Sequence, residues 1–201
     1  MSTVLVASRN AKKLEEMRRI LAEHLESVEV VGLDDVEPFD EPVEDQPTFE
    51  GNALLKARAG VAATGLPTIA DDSGLCVEAL NGMPGVLSAR WSGPPKSDER
   101  NNELLLAQLS DVPDERRRAH FRCAVALVHP DGREIVVEGR MDGRVIREVR
   151  GSGGFGYDVL FVADEFPDLT TAELSRDAKD AISHRGKALR EIAPLVAQML
   201  A

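Results

Sequence analysis

Five short segments of this 201-residue chain carry residue types that could act on a phosphorylated ligand. The first is Ser8-Arg9-Asn10-Ala11-Lys12-Lys13, where an apolar run gives way to helical spacing. Backbone N–H groups at a helix start, the positive end of its dipole, a hydroxyl, an amide and a lysine would together cradle an anion. A capped helix with surface lysines accounts for the same residues, and the glycines of a Walker-type loop are missing. In the second segment Thr48, Asn52 and Lys56 recur every four residues and share one helical face, beside an apolar stripe of Phe49, Ala53 and Ala57. A lysine beside an amide could clamp a phosphate there; ordinary solvent exposure is the competing explanation.

The third segment is Asp71-Asp72-Ser73-Gly74, directly after the apolar Thr68-Ile69-Ala70. Two carboxylates at the end of a buried strand repel each other and resist desolvation unless a cation compensates them. Mg²⁺ suits such a place, since it takes one or two carboxylates together with substrate phosphate oxygens. One carboxylate could also orient and deprotonate a water. A polar turn explains Asp-Ser-Gly but not the pair after an apolar strand. The fourth segment, Gly153-Gly154-Phe155-Gly156-Tyr157-Asp158, lets backbone approach a ligand closely and offers the Phe155 ring for stacking, or is a flexible loop. The fifth runs from Lys179 to Gly186, where His184 and Arg185 are donors suited to carbonyl or phosphate oxygens, or are structural. His24, His120 and His129 have no assigned role.

The elements that must position these groups follow from periodicity. Residues 3–7 read as a buried strand, and residues 11–25 as a helix carrying Leu14, Met17, Leu21 and Leu25, with Asn10 as its N-cap. Residues 28–31 read as a strand and 34–47 as a loop with seven acids and three prolines. An Ala-rich helix follows over 48–64, capped by Thr48 and stopped by Gly65 and Pro67. Two strands, 67–71 and 75–80, are expected on either side of Asp72-Ser73-Gly74, then a turn cluster at 81–85 and a helix over 98–109. Strands over 120–128 and 133–139 flank the hairpin signal Asp131-Gly132, and further short strands are expected at 144–148 and 159–162. A last helix carries Leu189, Ile192, Leu195, Val196 and Met199, with Pro194 expected to bend or delay it. Alternating strands and helices with one hairpin give an α/β or α+β chain built on a mixed sheet.

Composition bounds the function. A chain of this size buries roughly 70% of its unfolded surface, enough for one domain, or one domain with two lobes. Its formal net charge of −11 is the wrong sign for a sequence-independent nucleic-acid binder or an acidic membrane, though a few cations can still gather in one cleft. No run approaches the ~20 apolar residues of a membrane span. The N-terminal run is too short for a signal-peptide core, and Cys76 and Cys123 have no metal-ligand spacing, so a cytoplasmic protein with two buried thiols is expected.

In their order and spacing the segments resemble the inosine triphosphate pyrophosphatases, also called XTP/dITP diphosphatases. The most specific stretches are Ile69-Ala-Asp-Asp-Ser-Gly-Leu75, Gly85-Val-Leu-Ser-Ala-Arg90, Gly153-Gly-Phe-Gly-Tyr-Asp158 and Ile182-Ser-His-Arg-Gly186. The resemblance spans nearly the whole chain as a single domain, residues 1–201. It implies an α/β fold with an elongated mixed sheet flanked by helices, in two lobes with the nucleotide cleft between them. It also implies Mg²⁺-dependent hydrolysis of the purine triphosphates dITP, ITP and XTP to the monophosphate and pyrophosphate, by a homodimer that keeps deaminated purines out of nucleic acids.

Carried over by motif, Ser8, Arg9, Asn10, Ala11, Lys12 and Lys13 would hold the triphosphate, and Lys56 would add positive charge. Asp72 would be proton acceptor and metal ligand, Asp71 its support, and Ser73 a substrate contact. Phe155, Gly156, Tyr157, Asp158, Lys179, His184 and Arg185 would surround base and sugar. Glu44 could help to hold the metal, but it lies in the acidic loop, which aligns poorly, and stays outside this set. Gly51 departs from the family pattern, where many relatives carry an acid before the residue matching Asn52. A Maf-type pyrophosphatase would open with a Ser-rich, Arg-Arg loop, which Ser8 to Lys13 does not resemble. A non-catalytic nucleotide-binding module would not need the Asp71-Asp72 pair.

Overall fold

The alternation of apolar runs with helical spacing resolves into six strands and five helices among the described residues, 2–25 and 28–200, of the computed structural model. Strand β1 (Ser2–Val6) is parallel to β2 (Val28–Gly32), and helix α1 (Ala11–Ala22) lies between them in sequence. Helix α2 (Phe49–Thr64) precedes β3 (Thr68–Val77), which pairs parallel to β1 on its other side. Helix α3 (Asp98–Gln108) follows, then β4 (Arg118–Val128) and β5 (Glu134–Val145), joined by a tight turn in which His129 N–H donates to the Arg133 carbonyl. Strand β6 (Phe161–Ala163) runs antiparallel to β5, and helices α4 (Arg176–Ile182) and α5 (His184–Leu200) close the chain. The mixed sheet has the order β2-β1-β3-β4-β5-β6. Among the described residues, no helix is long and apolar enough to cross a membrane.

The chain divides into two compact units. The first comprises 1–72, 123–139 and 185–201; the second comprises 73–122 and 140–184. Within the first, Met17, Ile20 and Leu21 of α1 pack with Val4, Val6, Ile69 and Val125 of the strands and with Leu189, Ile192 and Val196 of α5. Each such aliphatic side chain contributes about 1.5–3 kcal/mol when fully buried. Within the second, Leu75, Leu105, Leu109, Met141, Leu160 and Phe161 form a separate core, with Phe121 meeting Phe161 edge to face at 4.8 Å. Arg117 is also buried here, its guanidinium donating to the carbonyls of Leu109, Val112, Val145 and Ile146.

Several expected boundaries shift. Residues 68–77 form one continuous strand instead of two strands around a polar turn. Gly74 lies there because a Cβ would come within 2.3 Å of the Gly85 carbonyl oxygen: the glycine marks a close backbone approach, not a bend. Strand β5 likewise runs on to Val145 and absorbs the first residues of the separate strand expected at 144–148. The expected strand 159–162 is confined to Phe161–Ala163. Pro194 sits inside α5, which begins ten residues earlier, so the helix is not delayed.

Candidate active site

The start of α1 is capped from within. The Asn10 side chain accepts from the N–H groups of Lys12 and Lys13 at 3.1 and 3.2 Å, which ties up two of the donors expected to face an anion. Arg9, Ala11 and Lys12 are exposed and Ser8 is half-buried. Arg9 reaches the acidic loop, donating to Glu41 at 2.6 Å and to the Phe39 carbonyl. Lys13, one turn into the helix, points its Nζ to within 3.1 Å of Asp71 Oδ2.

Asp71 is the hub of a buried charge cluster in the first unit. Its Oδ2 accepts from Lys13 and, at 3.2 Å, from Arg185 Nε, and Cys123 Sγ lies at 3.9 Å. Arg185 Nη1 in turn donates to Glu16 Oε2 at 2.7 Å. Burial pushes the Asp71 carboxyl up, but Lys13, Arg185 and Lys56 outweigh it and hold the group far below the usual carboxylate range. The same neighbours act on Arg185: burial pulls it down, and Asp71 and Glu16 more than restore it. Asp71 is thus a permanently ionised clamp on Lys13 and Arg185 rather than a titrating base. Arg185, expected beside base and sugar, commits two of its donors to these carboxylates.

Asp72 differs from its neighbour. Burial raises its pKa, and Lys56, Asn52 and Lys13 only partly offset that. Its Oδ2 accepts from Asn52 Nδ2 at 3.0 Å, and its Oδ1 lies 3.8 Å from Lys56 Nζ. Lys56 also donates to Glu44 Oε1 at 2.8 Å. Burial works against its charge, but Asp71, Asp72 and Glu44 together shift it upward, so it is a firmly held cation. Lys13, Lys56, Asp71 and Asp72 therefore gather in one unit, as the sequence leads one to expect. Glu44 and Glu16 join them although they were outside the expected set, and Asn52, expected beside Lys56 as a phosphate clamp, donates to Asp72 instead. Glu16 follows Lys13 by three residues and precedes Ile20 by four, a spacing that places an acid on the buried face of α1.

The second unit organises the other expected residues around Asp158. Its Oδ2 accepts from the Phe155 N–H at 2.9 Å and from Lys179 Nζ at 2.5 Å, and its Oδ1 from Thr171 Oγ1 at 2.8 Å. Lys179 Nζ also lies 5.2 Å from the centroid of the Phe155 ring, a cation–π contact on one face. The loop is fastened to α3 by the Gly156 N–H donating to Asp98 and by Asn102 donating to the Gly156 carbonyl. His184 stacks on Phe121 with centroids 4.8 Å apart. Ser73 is half-buried on β3. Tyr157 departs from expectation: its ring is buried in the core and its hydroxyl donates to the Ser88 carbonyl at 2.8 Å, so the side chain has a packing role.

Gly154 shows how tightly this loop is drawn. Its φ is +71°, and a Cβ would fall 2.1 Å from Asp158 Oδ2 and 3.0 Å from Lys179 Nζ. Gly154→Ala is expected to displace the Asp158–Lys179 pair and raise the nucleotide KM about tenfold, in line with ~1–3 kcal/mol of local strain. Steady-state kinetics beside a thermal melt check this; an unchanged KM would detach the loop from substrate binding.

A mixed α/β sheet that gathers two lysines and two carboxylates into one buried cluster defines an enzyme of phosphate chemistry. The chain belongs to the Ham1 family, whose profile matches residues 4–195. It is 62% identical over 200 residues to a dITP/XTP pyrophosphatase of Nocardia farcinica, covering 99% of this chain and 97% of that one. A dITP/XTP pyrophosphatase of Corynebacterium glutamicum is 57% identical, with 98% of each chain covered. Among solved structures, a nucleoside-triphosphatase / dITP/XTP pyrophosphatase from Mycobacterium abscessus is 56% identical with a TM-score of 0.78, over 96% of this chain and 99% of that one. The Ham1 protein of Staphylococcus aureus is 38% identical with a TM-score of 0.86, over 98% of this chain and all of that one.

Proposed function

We propose that this enzyme hydrolyses dITP, XTP and ITP to the nucleoside monophosphate and pyrophosphate, removing deaminated purines from the nucleotide pool. The observation that carries the reading is the convergence in one unit of Lys13, Lys56 and Asp72, with Lys56 Nζ 3.8 Å from Asp72 and Lys13 Nζ 3.1 Å from Asp71. Attack of water on the α-phosphorus needs an aligned nucleophile, neutralised phosphate oxygens and a stabilised leaving group. Lys13 and Lys56 supply fixed positive charge. Asp72, its pKa raised chiefly by burial, is a carboxylate with more than ordinary appetite for a proton, as a water-activating base requires.

Mg²⁺ fits the same residues. Among the described residues no group of three or more His, Cys, Asp or Glu could hold a metal ion. Asp72 and Glu44 both lie against Lys56, and one or two carboxylates completed by substrate phosphates is the usual Mg²⁺ arrangement. Bound there, the ion would supply further positive charge to the phosphate oxygens. For the base, hypoxanthine and xanthine present a 6-keto acceptor where adenine presents an amino donor. Backbone N–H groups would favour that keto acceptor; Arg185, which the sequence pairs with them in this role, holds its Nε on Asp71 and its Nη1 on Glu16. The family likeness implies a homodimer, the formal net charge of −11 disfavours nucleic acid and acidic membranes, and a cytoplasmic location goes with two thiols outside any disulfide.

The test is a panel of standard and deaminated nucleoside triphosphates, assayed with and without Mg²⁺ and with product identification. Pyrophosphate release from dITP and XTP well above that from dATP and dGTP is expected, and only with the metal. Orthophosphate release would make the protein a phosphatase instead, and equal rates on all purines would remove the pool-cleaning role.

A further inference from the structure

We infer that Asn52 is a positioning residue, whose carboxamide ties the acidic loop at Gln46 to the Asp72 carboxylate so that Asp72 and Glu44 are held in fixed relation. The inference rests on Asp72 being the reacting carboxylate.

Asn52 is fully buried in the first turns of α2. The helix does not need it: Thr48 is the cap, accepting from the Gly51 N–H at 3.1 Å. A buried amide is costly unless its donors and acceptor are used. Here all of its bonds go to two places. Oδ1 accepts from the Gln46 N–H at 3.0 Å, and Nδ2 donates to the Gln46 carbonyl at 3.4 Å and to Asp72 Oδ2 at 3.0 Å.

Each end of this bridge has a consequence. A carboxylate turns readily about its last torsion, so a donor fixed on Oδ2 selects which oxygen remains beside Lys56; that oxygen is Oδ1, 3.8 Å from Nζ. At the other end, Gln46 is two residues from Glu44, whose Oε1 lies 2.8 Å from the same Nζ. The loop is pressed against α2 at this point. A Cβ on Gly51 would meet Gln46 Cβ at 2.8 Å. A side chain at 51 would push on the segment that Asn52 fastens.

The experiment uses the full chain with Asn52→Ala, Asn52→Asp, Asp72→Ala and the Asn52→Ala/Asp72→Ala double variant. Turnover of dITP at saturating Mg²⁺ is measured together with amide hydrogen exchange of the peptide containing Gln46. Asn52→Ala is expected to lower kcat by about 10–100-fold with KM changed less than about threefold, and to speed exchange at Gln46. Asn52→Asp retains the acceptor for Gln46 N–H but loses the Nδ2 donor to Asp72 and to the Gln46 carbonyl. It should therefore keep exchange slow while still lowering kcat. In the Asp72→Ala background, Asn52→Ala should cost less than about twofold more, since a residue acting through Asp72 has nothing left to position.

The inference is overturned if kcat survives in Asn52→Ala, if the loss lies in KM alone, or if the two substitutions multiply. Should Asn52→Ala fail to fold, Asn52→Asp alone decides, because an unchanged kcat there overturns the inference equally. An active Asp72→Ala variant would instead sink the underlying assignment of Asp72, so the two failures are distinguishable.

Discussion

Asp72→Asn is expected to lower kcat by on the order of 10²-fold or more, while the nucleotide KM stays within a few-fold of wild type. The substitution keeps the shape and can still accept from Asn52 through its amide oxygen, but it cannot take a proton from water. Lys13 and Lys56 remain, so phosphate binding has little reason to fail. The loss is also expected without loss of stability. Burial raises the Asp72 pKa above its ordinary value despite Lys56 and Asn52, so the folded state disfavours the ionised form more than the unfolded chain does. At neutral pH that ionised form detracts from stability, and a neutral isostere should melt at the same temperature or higher. An active site commonly retains such a destabilising group because the reaction needs it. Turnover within a few-fold of wild type would remove Asp72 from the chemistry. A strongly lowered melting temperature would show that the loss reflects folding instead.

The contrast between local and long-range determinants explains which parts of this molecule the sequence reveals. Helix α1 and its Asn10 cap, and helix α2 between Thr48 and Gly65, depend on residues a few positions apart, and both start where capping puts them, although α1 ends at Ala22 and not at residue 25. The run 68–77 is different. Asp72, Ser73 and Gly74 carry turn propensities, yet they lie in one continuous strand of the mixed sheet, where tertiary context overrides local preference. The site divides in the same way. Lys13, Lys56 and the aspartate pair are conspicuous by type and spacing. Glu44 is less so, because one acid among seven in a loop has no periodicity to mark it; the family likeness only suggests it, and its contact with Lys56 places it beside that lysine. Asn52 could be placed on the Lys56 face of α2, but its hydrogen bonds to Gln46 and Asp72 depend on tertiary packing. Arg185 and Tyr157 show the converse: each stands out by its motif, while the direction of its side chain follows from partners more than 60 positions away.

Asp71→Ala should have a different signature from its neighbour's: loss of stability together with loss of activity. Asp71 is fully buried, and its carboxylate is the shared partner of Lys13 and Arg185. Removing it takes one counter-charge from Lys13 and one from Arg185, which keeps its contact with Glu16. Breaking a buried pair on one side typically costs about 3–5 kcal/mol, because the surviving charge is stranded in a medium that cannot solvate it. For a chain of this size that is roughly 10 °C in Tm. The pH dependence has a definite sign. Burial pushes Asp71 up, but Lys13, Arg185 and Lys56 prevail and hold it well below the usual range. Its contribution to stability is therefore full above the unfolded carboxyl value near pH ~4 and is lost progressively as pH falls below it. Wild type should lose stability on acidification across that window more steeply than Asp71→Ala, whose urea midpoint should already be low at pH 7. Activity should fall as well, since Lys13 loses the contact that aims its Nζ. If the variant melted within about 1 °C of wild type, the Asp71 cluster would contribute no net stability, and a different account of Lys13's placement would be needed.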